Sequence, residues 1–423
     1  MYNLLIHIYV SFVRVLAFFN HEKAKLWYEG RKDIFIQLKQ AFENKNHEKR
    51  IWIHVASLGE FEQGRPLIEA LKKQAPQYSI VLTFFSPSGY ALRKNYPLAD
   101  YVFYLPADTH ANALHFIEIV KPELVVFVKY EFWFNYLHIL KKQNIPTLLI
   151  SAIFRDKQFQ LFNPYAYYLK KMLRCFTFIF VQNTPSVFLL KKRDFHNVEN
   201  VGDTRIDRVL AIKNEAQKYP MVEHFIGSNL ALICGSTWQP DEKLIIDFLK
   251  NKTYASWKFI LAPHDISSKN MERLKHDLND EYALYSDLKN HAITQSPNHF
   301  SHKRILIIDN IGMLSSLYQY GKIAYIGGGF GSGIHNTLEP IAFGLPVIFG
   351  SKYHKFEEAF QLISTGGGFS INNYADFEKT MLFLHAEKNY AGASNAAFTY
   401  VTNNQGATQK IIDFIINHSK QTI

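Results

Sequence analysis

The sequence is poor in the residues and motifs that build metal and cofactor sites. It has two cysteines in 423 residues, Cys175 and Cys234, which excludes a disulfide framework or a cysteine-based zinc site and is typical of a reducing compartment. Its 18 histidines are scattered without metal-ligand spacing, and no HExxH, GxSxG, P-loop or Asp-x-Asp motif occurs. The missing Asp-x-Asp triplet argues against a metal-dependent sugar transferase of the single-domain kind. We therefore expect no metal and no cofactor.

The chain is basic, but its basic residues are spread along the sequence. Lys and Arg number 47 against 37 for Asp and Glu, and this net charge of +10 suggests an anionic partner without identifying it. A nucleic-acid binder needs a clustered basic face with base-stacking aromatics, so we expect no nucleic-acid partner. Aromatic residues make up 15% of the chain, an excess that fits either thick cores or contact with lipid.

The amino-terminal segment is apolar but marginal as a membrane span. Residues 1–19 include His7 and Arg14, and no small-residue cleavage site follows, so we expect no cleaved signal peptide. One helical stripe can hold Leu4, Leu5, Tyr9, Phe12, Leu16 and Phe19, and the basic flank holds Lys23, Lys25, Arg31 and Lys32. We expect residues 1–24 to anchor the protein on an anionic membrane surface. The alternative is a helix docked on the first domain.

From residue 51 the pattern alternates between short apolar strands and helices. Strands are predicted at 51–55, 80–84, 124–128, 147–150 and 176–181, and again at 230–234, 258–262, 304–307, 323–326 and 346–349. This alternation predicts an α/β fold with parallel sheets and right-handed crossovers. We expect two Rossmann-like domains facing a cleft, over residues 25–210 and 211–423, with ligands at the carboxyl ends of the strands.

The first candidate site is Ser57-Leu-Gly-Glu60, directly after the first predicted strand. Glu60 falls in the first turn of the following helix, where the helix dipole favours a carboxylate. An ionised glutamate at such an edge can take a proton from an acceptor hydroxyl. The alternative is that Glu60 merely starts the helix, where glutamates are common.

The second candidate site is the glycine-rich run Gly327–Gly333 with the HNTLEP segment that follows it. The run satisfies GxGxxG in no register, which disfavours a dehydrogenase. Glycines allow backbone N–H groups to approach a phosphate, and a helix start attracts it. His335 and Glu339 would share a helix face, and Glu339 can accept hydrogen bonds from a ribose diol. The alternative is a tight structural turn with a solvated Glu339.

Smaller groups follow other predicted strands. Ser86 and Ser88 follow the second strand, where they can hold an acceptor phosphate or simply cap a helix. Glu131 follows the third strand, again at a carboxyl edge. Ser236 and Thr237 place small hydroxyls at a helix start in the second half.

Six motifs together resemble the lipid A-specific 3-deoxy-D-manno-octulosonic acid (Kdo) transferases, glycosyltransferase family 30. They are WIHVASLGE at 52–60, TFFSPSG at 83–89, EFWFN at 131–135, VGDTRID at 201–207, GSTWQPDE at 235–242 and HNTLEP at 335–340. The resemblance runs from about residue 25 to the end. It implies the two-lobed GT-B fold, with the acceptor on the first lobe and the donor on the second. It also implies inverting transfer of Kdo from CMP-Kdo to a lipid A precursor, without a bound metal.

The resemblance also assigns roles to individual residues. Glu60 becomes the general base and Glu131 a second acceptor-side carboxylate, with Ser57, Ser86 and Ser88 beside the acceptor. The implied contacts to the CMP donor are Ser236, Thr237, Pro263, His264, Gly328, Gly329, His335, Asn336 and Glu339.

The chain departs from the usual family pattern at three places. Family members commonly have Pro-Arg-His where this chain has Pro263-His-Asp265. A guanidinium there would pair with a donor phosphate or carboxylate, and His264 would do so more weakly and with pH dependence. The usual Trp-Pro-Asn is Trp133-Phe-Asn135, and the usual Asn-Ala-Arg is Ser151-Ala-Ile153.

We therefore expect a Kdo transferase on the cytoplasmic face of the bacterial inner membrane, attached through its amino terminus. Its expected partners are CMP-Kdo, a lipid A precursor such as lipid IVA and the anionic membrane surface. One alternative is another GT-B enzyme that uses a UDP-sugar. The other is a membrane-bound nucleotide sensor without turnover.

Overall fold

The computed structural model describes residues 2–45, 47–159, 164–279, 281–291 and 302–421. The chain divides into two compact units, Met1–Asp207 with Asn404–Ile423 as the first and Arg208–Asn403 as the second. This division differs from the expected domains of residues 25–210 and 211–423. It falls at Asp207, includes the amino-terminal helix in the first unit, and returns the last helix to that unit.

The first unit contains a parallel sheet with strand order β3-β2-β1-β4-β5-β6-β7. The strands are β1 (Lys49–Val55), β2 (Tyr78–Phe84), β3 (Tyr101–Tyr104), β4 (Leu124–Val128), β5 (Thr147–Ala152), β6 (Phe178–Val181) and β7 (Val198–Asn200). The helices are α1 (Tyr2–Phe18), α2 (Glu22–Lys32), α3 (Ile34–Phe42), α4 (Leu58–Gln74), α5 (Pro87–Arg93), α6 (His110–Val120), α7 (Phe134–Lys142), α8 (Pro164–Leu173) and α9 (Thr184–Lys191). Helix α10 (Thr204–Asn214) contains the boundary, and the carboxy-terminal helix is α20 (Ala407–Gln421).

The second unit contains a parallel sheet with strand order β10-β11-β9-β8-β12-β13-β14. Its strands are β8 (Ala231–Thr237), β9 (Lys258–Pro263), β10 (Tyr282–Leu284), β11 (Ile305–Ile307), β12 (Ile323–Ile326), β13 (Val347–Gly350) and β14 (Gly368–Ile371). Its helices are α11 (Pro220–Ile226), α12 (Gln239–Phe248), α13 (Ser268–Asp277), α14 (Tyr285–His291), α15 (Leu314–Leu317), α16 (Leu338–Ala342), α17 (Glu357–Thr365), α18 (Tyr374–His385) and α19 (Glu387–Asn403). The predicted α/β class with parallel sheets is confirmed in both units.

Alternation along β1 divides the interior of the first unit into two cores. Trp52 packs in one core with Phe116, whereas Ile51 and Ile53 pack in the other. Successive side chains of a strand point to opposite faces, and a parallel sheet needs both faces covered. His54 lies two residues after Trp52 and therefore on the same face of the sheet.

The short edge strands β3, β7, β10 and β14 are not predicted from the sequence. Three or four residues long, they lack the sustained apolar run that marks a central strand. In β7 only Val198 is buried, so its pattern does not distinguish it from a loop.

The amino-terminal helices lie against the first unit through polar and apolar contacts. The Tyr2 hydroxyl donates to Asp108 over 2.6 Å, and Asn135 Nδ2 donates to Asn3 Oδ1 over 2.7 Å. Burial raises the pKa of Asp108 to about 7, against the opposing effect of the hydrogen bond from Tyr2. Helix α1 is therefore docked on the first unit, as in the alternative considered above. Its contact with a membrane stays a prediction.

No single helix among the described residues has both the length and the apolar character to cross a membrane. Helices α1 and α2 meet these criteria only as a pair, and the pair is bent by 115°.

Helix α20 belongs to the first unit because its apolar face completes a core there. Ile411, Ile412 and Ile415 are buried in the same cluster as Leu67 and Leu71 of α4. The start of α20 is held by Asp207, whose carboxylate accepts the backbone N–H groups of Gly406 and Thr408 over 2.6 and 2.7 Å. Unpaired N–H groups at a helix start require such partners.

Asp207→Ala should destabilise the first unit by about 2 kcal/mol, because two backbone donors lose a charged acceptor. Urea unfolding measures the change. The matched control is Asp413→Ala, an exposed position of α20, which should change the unfolding free energy by less than about 0.5 kcal/mol. Equal effects of both substitutions would contradict the capping role of Asp207.

Candidate functional site

Glu60 lies in the first turn of α4, at the carboxyl end of β1. Its Oε2 accepts the backbone N–H of Ser57 over 2.8 Å, as in a capping box, and it also accepts the Ser57 hydroxyl. Its Oε1 has no hydrogen-bond partner among the described residues, and the side chain is half-buried. Glu60 is thus a helix-start residue that keeps one carboxylate oxygen available, whereas the hydroxyl of Ser57 is committed to Glu60.

Ser86 and Ser88 lie beside this helix start. The backbone N–H of Ser86 donates to the carbonyl of Ala56 over 2.7 Å, which joins the beginning of α5 to the turn that precedes α4. The hydroxyls of Ser86 and Ser88 are 2.9 Å apart, and Ser88 is exposed. Both predicted serines therefore lie at the carboxyl edge of the first sheet.

Glu131 follows β4 at the same edge and is held by two aromatic side chains. Its Oε2 lies 2.8 Å from Trp133 Nε1 and 3.3 Å from His54 Nε2. The His54 side chain is fully buried, while that of Glu131 is 12% exposed. Neither His54 nor Trp133 is predicted as a site residue; the signal for His54 is a polar side chain inside a buried strand.

Five of the predicted donor residues line one cavity of about 310 Å3 in the second unit. They are Ser236, His264, His335, Asn336 and Glu339. Gly235 and Ile326 also line the cavity, as do Gly312, Leu314, Ser315 and Tyr318, which sequence analysis does not predict because no recognisable motif marks the region of α15.

The indole of Trp238 and the imidazoles of His264 and His335 form a stack at this cavity. The His264 ring lies 4.6 Å from Trp238 and 4.4 Å from His335, nearly parallel to both. Trp238 Nε1 donates to His335 Nε2 over 2.9 Å, so that nitrogen carries no proton. Burial, and secondarily the charge of His264, lower the pKa of His335 to about 4.

The glycine run uses its own N–H groups inside the protein. Gly327 donates to the carbonyl of Gly235, Gly328 to the Asp241 carboxylate over 3.0 Å, and both Gly331 and Gly333 to the carbonyl of Gly328. These four amides therefore have acceptors within the protein, and the expected approach of the glycine amides to a phosphate stays a prediction. The run is a tight structural turn between β12 and His335, and none of its residues is among those that line the cavity.

Close backbone approach explains two of these glycines. A Cβ at Gly327 would collide with the backbone of Ser236, and a Cβ at Gly329 with that of Gly350. Gly328 and Gly329 are thus buried packing positions. Their predicted contact with the donor has no support in their placement.

Two more donor predictions fall inside the protein. Thr237 is 1% exposed and donates its hydroxyl to Glu242 over 3.2 Å, while Glu242 also binds Arg273. Pro263 is the buried last residue of β9. Neither side chain lines the cavity, although Pro263 places His264 at its edge.

The prediction that His335 and Glu339 share a helix face is wrong, because the two residues do not lie on one helix. Helix α16 begins at Leu338, so His335 precedes it. Asn336 joins the two parts, since its Oδ1 accepts the N–H of Leu338 over 3.0 Å and its Nδ2 donates to Glu339 over 3.0 Å. The loop, and not helix periodicity, brings His335 and Glu339 to the same cavity.

Known proteins resemble this chain in both sequence and fold. Residues 32–208 match the family model described as 3-deoxy-D-manno-octulosonic-acid transferase (kdotransferase). A bifunctional glycosyltransferase/methyltransferase of Fusobacterium nucleatum is 28% identical over 94% of the chain, which spans 61% of that protein. A 3-deoxy-D-manno-octulosonic acid transferase of Aquifex aeolicus is 28% identical, with 78% of this chain and 84% of that protein covered.

The structural likeness supports the fold alone. UDP-GlcNAc 2-epimerase from Neisseria meningitidis superposes with a TM-score of 0.61 and 15% identity, covering 87% of this chain and all of that one. MurG from Acinetobacter baumannii gives a TM-score of 0.55 at 10% identity, with 87% and 99% covered. The fold is the GT-B fold of glycosyltransferases.

The lowered pKa of His335 predicts how stability depends on pH. Between pH 7 and pH 5 the unfolded chain binds a proton at this histidine, whose ordinary pKa is 6.5, while the folded chain does not. Acidification from pH 7 to pH 5 should therefore lower the unfolding free energy of the unsubstituted protein more than that of the His335→Gln variant. The glutamine side chain keeps an acceptor for Trp238. Urea unfolding at the two pH values measures this difference.

The matched control is His224→Gln, at an exposed position of the same unit. It should lose as much stability on acidification as the unsubstituted protein. An identical loss in all three proteins would contradict the account of His335.

Proposed function

We propose that this chain, which is similar to the Kdo transferases in its family-model match over residues 32–208 and in its curated relatives, moves Kdo from CMP-Kdo to a lipid A precursor with inversion. The observation that carries the proposal is the pair of carboxylates at the carboxyl edge of the first sheet. Glu60 and Glu131 each hold one oxygen in hydrogen bonds to the protein and keep the other without a partner among the described residues.

On the acceptor side Glu60 is the general base. Its Oε2 is fixed by Ser57, so Oε1 is the oxygen that takes the proton from the sugar hydroxyl of the acceptor. The hydroxyl oxygen then attacks the anomeric carbon of Kdo from the face opposite CMP. Ser86 and Ser88 contact a phosphate of the acceptor, and Glu131 accepts a hydrogen bond from a second acceptor hydroxyl.

On the donor side the cavity of the second unit binds CMP. Its polar lining offers the imidazole of His264 and the side chains of Asn336 and Glu339, which suit a phosphate and a ribose diol. When the bond to the anomeric carbon breaks, its electron pair stays on the CMP phosphate. His335 binds as a neutral ring, because its pKa is about 4.

Glu60→Gln should reduce Kdo transfer by at least about 1,000-fold, because the amide cannot take the proton. Folding and CMP binding should persist, since the glutamine carbonyl can still accept the N–H of Ser57. Transfer is measured by CMP release from CMP-Kdo with acceptor present, and binding by the thermal shift with CMP.

The control is Glu62→Gln, which changes a half-buried carboxylate of the same helix and should keep its activity. Kdo transfer by well-folded Glu60→Gln would contradict the proposed base. CMP binding by the unsubstituted protein without CMP release would favour a nucleotide sensor, and a larger thermal shift with UDP than with CMP would favour a UDP-sugar enzyme.

We also propose that α1 attaches the protein to the cytoplasmic face of the inner membrane. The support is an apolar face that the first unit leaves uncovered. Its members are Leu4, Leu5, Ile8, Phe12, Val15, Phe18 and Phe19, each more than half exposed. Such a face with basic neighbours binds anionic lipid surfaces.

Phe12→Glu combined with Phe18→Glu should weaken binding to phosphatidylcholine vesicles containing about a quarter phosphatidylglycerol by at least tenfold, because about 1.5–3 kcal/mol is lost per unburied phenylalanine. Vesicle co-sedimentation measures binding. Phe188→Glu, on α9 and 70% exposed, is the control and should bind as before. Unchanged binding by the double variant would remove α1 as the anchor.

A further inference from the structure

We propose that Trp52, Thr83 and His54 form a hydrogen-bonded chain that orients Glu131, with His54 as a positioning residue. The expected effect on catalysis rests on the proposed function, whereas the expected tautomer of the His54 ring is independent of it. This series of hydrogen bonds begins at Trp52 in a core of the first unit and ends at Glu131, at the carboxyl edge of the sheet.

The backbone brings these side chains together through strand register. His54 of β1 is paired directly with Thr83 of β2, and Trp52 precedes His54 by two residues on the same face. Trp52, Thr83 and His54 are all 0% exposed. A buried polar chain of this kind must satisfy its donors internally, because water cannot.

The donors and acceptors fix the direction of the chain. Trp52 Nε1 can only donate, and it lies 2.7 Å from Thr83 Oγ1, which is therefore the acceptor. Thr83 Oγ1 has a second lone pair, but if it also accepted from His54 Nδ1 its own proton would have no acceptor among the described residues, so we take Nδ1, at 2.9 Å, as the acceptor of that proton. Nδ1 accepts, so the ring proton is on Nε2, and Nε2 donates to Glu131 Oε2 over 3.3 Å.

Trp133 completes the arrangement at the other end. Its Nε1 lies 3.0 Å from His54 Nε2 and 2.8 Å from Glu131 Oε2. Because His54 Nε2 carries a proton, Trp133 donates to Glu131. Two N–H groups thus hold Oε2, and Oε1 remains the oxygen that can accept from a substrate hydroxyl.

The opposite tautomer of His54 would break this arrangement. A lone pair on Nε2 would face Oε2 of Glu131, Trp133 could donate to His54 instead, and the Thr83 hydroxyl proton would lose its acceptor. Thr83 does not touch Glu131, so it offers a way to disturb the tautomer without changing the site itself.

Thr83→Val removes the hydroxyl and keeps the shape, whereas Thr83→Ser keeps the hydroxyl and serves as the matched control. We expect the 15N spectrum of the unsubstituted full-length protein to show His54 as the single Nε2–H tautomer, with its signals assigned by their loss in His54→Gln. Thr83→Ser should keep this tautomer, and Thr83→Val should yield a mixture of both.

The kinetic expectation separates positioning from general damage. Thr83→Val should lower kcat for Kdo transfer by about 10- to 100-fold, with the KM for CMP-Kdo unchanged, and Thr83→Ser should behave as the unsubstituted protein. As a second comparison, His54→Gln, which keeps an N–H for Glu131, should retain more activity than His54→Phe, which does not.

An unchanged His54 tautomer in Thr83→Val would overturn the proposal, and so would a changed tautomer with full kcat. Equal activity of His54→Gln and His54→Phe would also contradict it. If the unsubstituted protein transferred no Kdo, the proposed function alone would fail, and the ring spectrum would still decide whether Thr83 sets the state of His54.

Discussion

Polar side chains buried at the carboxyl ends of β1, β2 and β8 find partners inside the protein, and this requirement decides which groups remain for a substrate. In the first unit, Thr83 forms hydrogen bonds with both Trp52 and His54, so that these buried polar groups have partners. In the second, the buried carboxylate of Asp241 accepts the N–H groups of Trp238 and Gly328 and the hydroxyl of Tyr325. An unpaired group at these depths would cost about 1–3 kcal/mol.

The same requirement explains the chemical character of each site. Burial raises the pKa of Asp241, against three hydrogen bonds that favour its charged form, and one of these bonds holds the amide of Gly328 inside the protein. In the first unit the networks end in carboxylates that are only half satisfied. Glu60 and Glu131 therefore combine a fixed orientation with a free acceptor oxygen, which is what proton transfer from a hydroxyl requires.

Sequence reasoning reaches the fold and the position of the sites because both depend on local patterns. Buried parallel strands are continuous apolar runs, and the residues that follow them lie at one edge, which is why the pattern predicts Glu60 and Glu131 at the carboxyl edge of the first sheet, whereas His264 comes from the family resemblance alone. The direction of a backbone N–H or a hydroxyl depends on neighbours distant in sequence. For that reason the internal bonds of Gly328 and Thr237 could not be predicted, nor could the return of α20 to the first unit. The polar positions His54 and Thr83 were visible in the strands, but their pairing required the register of β1 and β2.

The central claim is that the chain transfers Kdo from CMP-Kdo to a lipid acceptor, and the most direct measurement is product mass spectrometry. The full-length protein is incubated with CMP-Kdo and a tetra-acylated lipid A precursor, with UDP-sugars in parallel reactions. The account predicts that the lipid gains the mass of one or more Kdo units with CMP-Kdo only. An unmodified lipid with CMP-Kdo, or a lipid that gains a sugar from a UDP donor, would contradict it.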